Sequence, residues 1–148
     1  MVSVRSVFLF FVGSAVAYVV SSYIAGFIGI GLGEAQYYPP SSNALGFLRE
    51  IPSQSVVLPA TILNGLLLGV VFYPFRPRIL ELGRLMGSLS VTLVVFVVGE
   101  LIASINQFVY YVSIPANYYL VVGIELLIQA LLFGQLLLAW ERRFNRTN

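Results

Sequence analysis

Two glutamates set inside apolar stretches are the side chains in this sequence best suited to chemistry. Glu100 lies in VVGELIAS and Glu125 in VVGIELLIQ, and the chain contains only six acidic residues in all. A carboxyl group in apolar surroundings can hold a proton, bind a cation, or serve as an acid or base. What these two can do depends on the depth and direction that the surrounding elements give them.

Those surrounding elements are strongly apolar. Hydrophobic residues make up 59% of the 148 residues and charged residues only 9%, where a soluble domain has about a quarter. Four runs with at most one charge each exceed the roughly 20 residues that a spanning helix needs. The sequence therefore predicts an all-α integral membrane protein, a single domain of four transmembrane helices in an antiparallel bundle. The predicted spans cover about 7–32, 55–75, 85–110 and 118–140.

The basic residues, all eight of them arginines, determine the predicted orientation. If all four segments cross the membrane, seven of the eight lie on one side, and only Arg49 lies on the other. Because cytoplasmic loops carry the excess of positive charge, both termini are predicted to be cytoplasmic, with the protein in the cell membrane. The small positive net charge of +2 is then explained by arginines on the cytoplasmic side of the membrane. No basic face that could bind nucleic acid is expected.

Four reactive residue types are missing, because the sequence has no cysteine, histidine, aspartate or lysine. This excludes disulfides, thiolate catalysis, zinc sites built on Cys or His, a histidine-based triad and a lysine Schiff base. No phosphate, nucleotide, metal or lipidation motif is present either. We therefore assign no catalytic residue and no cofactor, leave the identity of any metal open, and favour a protein that is not an enzyme.

The two glutamates are predicted to lie at one depth. Each is about a dozen residues from the turn between the third and fourth spans, which places both in the outer half of the membrane. Asn64 on the second span and Tyr23 on the first reach a similar level, and Gln129 lies one turn from Glu125 on the same face. All four helices thus contribute polar groups to one predicted layer.

A polar strip continues outward from Glu100, because Ser104 and Gln107 follow it on one helical face. Such a strip is what a half-channel or vestibule needs, and a hydrogen-bonded core contains one too. No basic side chain is expected at this depth, and burial disfavours a lone charged carboxylate. Glu100 and Glu125 would therefore be protonated and hydrogen-bonded, share one proton, or hold a cation.

Small residues recur at a spacing of four along three of the spans, so each set lies on one helical face. The first span has six of them, the second three and the fourth two: Gly13, Ala17, Ser21, Ala25, Gly29 and Gly33; Thr61, Gly65 and Gly69; and Ala130 and Gly134. These ladders allow a neighbouring backbone to approach closely, either inside the bundle or at a seam between two copies.

The two sides of the membrane differ in their links. The external link, 34–54, is the most polar segment and is predicted to carry a short interfacial helix at about 43–50, which would anchor the surface or cover an opening. On the cytoplasmic side, Arg78, Glu81 and Arg84 follow one another at spacings of three and can form ion pairs on one helical face.

Three functional hypotheses follow. In the first, a homo-oligomer or a complex with a partner membrane subunit binds or translocates a proton, a metal cation or an organic cation. Its candidate site residues are Glu100, Glu125, Asn64, Gln129, Tyr23, Ser104 and Gln107. In the second, the chain is an accessory or scaffold subunit whose glutamates are protonated links between helices. In the third, it is an enzyme that acts on a lipid through paired carboxylates.

Overall fold

The computed structural model describes residues 4–34, 53–101 and 116–144, with the side chains of Glu100, Leu101 and Ala116 excepted. Every regular element in this part of the chain is helical. The elements are α1 (Val4–Gly31), α2 (Gln54–Phe72), a 3₁₀ turn (Tyr73–Phe75), α3 (Arg76–Glu81), α4 (Gly83–Val94), a π-helical segment (Val95–Leu101) and α5 (Ala116–Phe144).

Three helical stretches are long and apolar enough to cross a membrane: Val4–Gly31, Gln54–Glu81 and Asn117–Phe144. They agree with the predicted all-helical membrane class. The stretch Gly83–Gly99 is also apolar but shorter, and the residues that follow the π segment lie outside the described part. The fourth span and the orientation stay predictions, and the interfacial helix predicted at 43–50 lies outside the described residues as well.

Prolines and a glycine divide the chain between α2 and α4. Pro74 lies in the 3₁₀ turn after α2, and Pro77 lies at the start of α3, where a missing N–H costs no helical hydrogen bond. Gly83 then adopts a φ of 80°, a left-handed conformation that turns the chain into α4.

Helix α1 is central: it packs antiparallel against α2 and against α5, and α4 packs against the other side of α5. The backbones approach closely at glycines. A Cβ on Gly65 would lie 2.7 Å from Ala15 Cα, and a Cβ on Gly134 would lie 2.7 Å from Ser88 O. The first five small residues of the α1 ladder are all buried. The ladders therefore serve packing inside one bundle.

Side-chain hydrogen bonds to main-chain carbonyls also join these helices. Ser14 Oγ donates to Gly65 O at 2.6 Å, and the hydroxyl of Thr92 shares its one proton between Ser88 O of its own helix at 2.9 Å and Ala130 O at 3.2 Å. In an apolar environment such bonds satisfy groups that have no water to bind. The core around them is hydrophobic: Phe10, Ala17, Phe72, Val91, Val95, Ala130, Phe133, Leu137 and Leu138.

The described arginines lie together at one end of the bundle, which we call the arginine end. They are Arg5, Arg76, Arg78, Arg84, Arg142 and Arg143. They share this end because antiparallel packing brings the starts of α1 and α4 beside the ends of α2 and α5. Arg78 and Glu81 form the ion pair that their spacing predicts, at 3.0 Å. The opposite end, where α1 ends and α5 begins, is the glutamate end.

Aromatic side chains mark both ends of α5. Tyr119 lies in its first turns, and Trp140 lies near its last. The indole Nε1 of Trp140 donates to Leu9 O at 3.0 Å, and the indole ring occupies the space that a Cβ on Gly13 would fill. Amphipathic rings of this kind favour membrane–water interfaces. The segment between Tyr119 and Trp140 is about 31 Å long, which matches the thickness of the hydrocarbon layer.

Candidate cation site at the glutamate end

Two carboxylates meet over the glycine face of α1. A Cβ on Gly29 would lie 2.6 Å from Oε2 of Glu125 and 2.8 Å from Oε2 of Glu34, so the two oxygens are no farther apart than the sum of these distances. A Cβ on Gly26, one turn earlier, would lie 3.9 Å from Oε1 of Glu125. Both glutamates are half-buried. The glycines thus provide the space that the two carboxylates occupy.

The end of α1 turns Glu34 back onto this face. The helix ends at Gly31, and the amide of Gly33 donates to Ile30 O at 3.0 Å. Gly33 has a φ of 90°, the left-handed conformation with which many helices end. A residue with a Cβ would be strained there. The glycine that stops the helix therefore also places the carboxylate that follows it.

Tyr118 and Gln129 lie on either side of Glu125 along α5. The phenol group of Tyr118 lies close enough to Glu34 and Glu125 to interact electrostatically with both carboxylates. Gln129 follows one turn after Glu125 and is 7% exposed. Its side-chain amide makes no hydrogen bond to any described residue. A buried amide gains from a polar partner. Gln129 is therefore suited to orient a polar group held beside the carboxylates.

Tyr23 also belongs to the glutamate end, but its hydroxyl is directed to another helix. It donates to Oε1 of Gln54 at 2.5 Å and so ties α1 to the first turn of α2. Asn64 lies about 15 Å further along α2, near the level at which Ser14 bonds to the backbone of that helix. The structure thus separates Tyr23 from Asn64, although the sequence predicts one level for both.

The physical reason is that close packing sets the register of α2 against α1. Gly65 fits against Ala15, and this contact, rather than the length of the external link, decides which residues are level. Asn64 is exposed and lines a groove of about 340 Å³ between α2 and the α4–π stretch. The side-chain amide of Asn64 makes no hydrogen bond to any described residue. Gly99, the residue before Glu100, lines the same groove.

Glu100 lies in the π segment Val95–Leu101, which packs against α5. Thr92 bonds to Ala130, and continuing this antiparallel pairing by two turns brings the backbone of Glu100 level with the turn of α5 that precedes Glu125. The side chain of Glu100 is outside the described part. Whether the two carboxylates meet therefore stays a prediction.

The outward strip from Glu100 is likewise a prediction, because Ser104 and Gln107 lie outside the described residues. The prediction that Glu100, Ser104 and Gln107 share one face assumes the spacing of a regular α-helix. A π turn contains more residues than an α turn, so that spacing does not hold within the π segment that contains Glu100.

Sequence reasoning missed two features. Glu34 was assigned to the external link because it follows the last apolar residue, although a glycine directly before it signals a helix end that folds back. Arg76 and Glu141 form a buried ion pair across 65 positions of sequence, and no local pattern in the sequence indicates that pairing.

The arrangement at the glutamate end is suited to holding one positive charge. Two close carboxylates repel each other when both are ionised, and a shared proton or a bound cation relieves that repulsion. All described arginines lie at the opposite end of the bundle. Within the described ranges no three His, Cys, Asp or Glu residues form a metal-binding group. A cation would therefore be held by the two carboxylates together with neutral oxygen ligands, which suit hard cations.

No family model, no curated protein and no solved structure matches this chain.

Proposed function

We propose that this chain is a multi-pass membrane protein that binds a proton or a small cation through Glu34 and Glu125. The single observation that carries the proposal is the meeting of the two carboxylates over Gly29. Ionisable side chains within membrane helices are costly to bury and commonly mark functional sites. The side-chain amide of Gln129, one turn further along α5, is a buried polar group that makes no hydrogen bond to a described residue and could contribute a neutral oxygen ligand.

Glu100 is the third carboxylate of the proposed site. Its backbone is level with the turn of α5 that precedes Glu125, and it lies in a π turn, a local structure often found at functional sites. With both termini in the cytoplasm, the glutamate end faces the outside. A four-helix chain encloses little space, so a homo-oligomer or a partner subunit is proposed to complete any path through the membrane.

The scaffold hypothesis has less support, because the small-residue ladders that would dock a partner are buried inside the bundle. The lipid-enzyme hypothesis requires a carboxylate pair beside a reacting bond, and no contact among the described residues favours it over cation binding.

The test is infrared spectroscopy of the carboxyl groups in the purified full chain. Spectra are recorded across pH for the unmodified protein, Glu34→Gln, Glu125→Gln and Glu100→Gln, and then with Na⁺, K⁺, Ca²⁺ and a quaternary ammonium ion. Glu81→Gln is the matched control, because Glu81 is an exposed carboxylate at the arginine end. Melting temperatures show that each variant is folded.

Protonated-carboxyl bands that titrate near neutral pH, or that disappear with one cation, support the proposal if Glu34→Gln and Glu125→Gln remove them and Glu81→Gln does not. Bands that stay protonated to high pH and respond to no ion would refute it and make the glutamates structural. Ion-dependent bands assigned to Glu100 alone would also refute the assignment to Glu34 and Glu125.

A further inference from the structure

A cleft with three arginines opens at the arginine end. It has a volume of about 480 Å³ and lies between the start of α4 and the last turns of α5. Its lining residues are Arg84, Ala139, Arg142 and Arg143. A cleft lined by guanidinium groups attracts anions, and the planar guanidinium matches the geometry of a phosphate group.

The positive charge of this cleft is not neutralised by the described acidic residues. Glu141 pairs with Arg76, and Glu81 pairs with Arg78, so both acidic groups near this end already have arginine partners. None of the three cleft arginines lies within ion-pair distance of a described carboxylate. The Nε of Arg142 is fully buried and has no hydrogen-bond partner in the described structure. A donor of this kind favours an anionic acceptor.

An apolar groove continues from the cleft toward the middle of the bundle. It has a volume of about 210 Å³, lies between α1 and α5, and shares Ala139 and Arg143 with the cleft. The wall formed by α1 runs from Gly13 to Val20, a distance of about 10 Å, and Trp140 lies on the opposite side. One continuous surface therefore has arginines at the membrane surface and an apolar groove leading inward.

We propose that this surface binds one anionic phospholipid. The phosphodiester accepts hydrogen bonds from Arg84, Arg142 and Arg143, and an acyl chain lies along the groove between α1 and α5. The cleft alone would suit any phosphate group, and the groove alone would suit any acyl chain. Only a phospholipid occupies the cleft and the groove together. The shared residues join the two at the depth where a lipid joins its headgroup to its chains. This site is independent of the carboxylates, which lie at the other end of the bundle.

The single tryptophan of the chain supplies the readout, since Trp140 lines the groove. The full chain in neutral detergent micelles is titrated with phosphatidylglycerol brominated on its acyl chains, and quenching of tryptophan fluorescence is measured. Brominated phosphatidylcholine is the comparison lipid. Because bromine quenches only at close range, the signal reports an acyl chain in the groove.

Brominated phosphatidylglycerol is expected to quench at lower concentration than brominated phosphatidylcholine. Arg84→Gln and Arg143→Gln change exposed side chains and are each expected to weaken the anionic lipid about fivefold, the contribution of one arginine near a membrane surface. Arg78→Gln is the matched control, because Arg78 is exposed at the same end and does not line the cleft. Val16→Phe, which fills the groove, is expected to weaken both lipids.

Equal quenching by the two lipids would overturn the proposal, because it would show general solvation of the surface. Equal effects of Arg84→Gln and Arg78→Gln would overturn it as well. Inorganic phosphate is added as a competitor to separate a lipid site from a phosphate site. If it displaces phosphatidylglycerol at millimolar or lower concentration while Val16→Phe changes nothing, the ligand is free phosphate and the lipid assignment is wrong.

Discussion

The Nε of Arg76 donates a hydrogen bond to Oε2 of Glu141 at 2.5 Å and so joins the start of α3 to the last turn of α5. The side chain of Glu141 is 2% exposed and that of Arg76 is 15% exposed. The guanidinium carbon also lies 5.8 Å from the centre of the Phe10 ring, which brings α1 into the same contact. Three helices are therefore held together by one buried charge pair.

Glu141→Ala is expected to lower the free energy of unfolding by about 3 kcal/mol, because it leaves the Arg76 guanidinium buried without a counter-charge. The measurement is reversible unfolding from mixed micelles into dodecyl sulfate, followed by circular dichroism. Glu81→Ala removes an acid from the exposed pair with Arg78 and should cost about 0.5 kcal/mol or less. Equal losses from the two variants would show that burial does not strengthen the Arg76–Glu141 pair.

Gly65→Ala is expected to destabilise the bundle by about 1–3 kcal/mol, because the new Cβ would lie 2.7 Å from Ala15 Cα and the two backbones must separate. The same unfolding measurement applies. Gly123→Ala is the control: it places a Cβ where nothing lies within 4 Å, and alanine favours a helix more than glycine does. A neutral Gly65→Ala would mean that α1 and α2 do not pack at this contact.

Gly29→Ala tests the geometry of the carboxylate pair without changing any charge. The added Cβ would lie 2.6 Å from Oε2 of Glu125 and 2.8 Å from Oε2 of Glu34, so both carboxylates must shift away from it. Cation-dependent changes in the carboxyl infrared bands are expected to require about tenfold more cation. Gly31→Ala, which meets nothing within 4 Å, should leave the bands unchanged. An unchanged cation response in Gly29→Ala would argue against a site formed by the pair.

Thr92→Val keeps the shape of the side chain and removes two contacts of its hydroxyl, with Ser88 O of the same helix at 2.9 Å and with Ala130 O of α5 at 3.2 Å. The expected loss is about 1 kcal/mol, the range found for hydrogen bonds between membrane helices. Ser90→Ala is the comparison, because Ser90 Oγ bonds only to Met86 O of its own helix. A loss from Ser90→Ala as large as that from Thr92→Val would show that the contact with α5 adds no stability.

The helices and their contact faces were predictable because both depend on local patterns. The spacing of four from Gly13 to Gly29 marks the face of α1 that the structure buries, and the exchange of apolar for charged residues marks the ends of the helices. The proline positions after α2 likewise indicate where that helix ends. Such features need only the geometry of a single helix.

The contacts between helices were less predictable, because they depend on register. Counting residues from the turns placed Tyr23 and Asn64 at one depth, whereas the fit of Gly65 against α1 shifts them apart. Glu34 lies beside Glu125 because the left-handed turn at Gly33 directs the chain back over α1. The π segment had no signature in the apolar pattern, since five of its seven residues are apolar and continue the run that predicts a spanning helix.

The depth of Glu125 has an electrical consequence. It lies six residues inside Tyr119 along α5, about 9 Å, or about a third of the hydrocarbon layer from the glutamate end. A cation held there has crossed about a third of the transmembrane field, worth about 0.8 kcal/mol per 100 mV. Its affinity should therefore change about fourfold per 100 mV. If the glutamate end is external, a negative interior tightens binding, and in the opposite orientation it weakens binding, so the sign reports the topology.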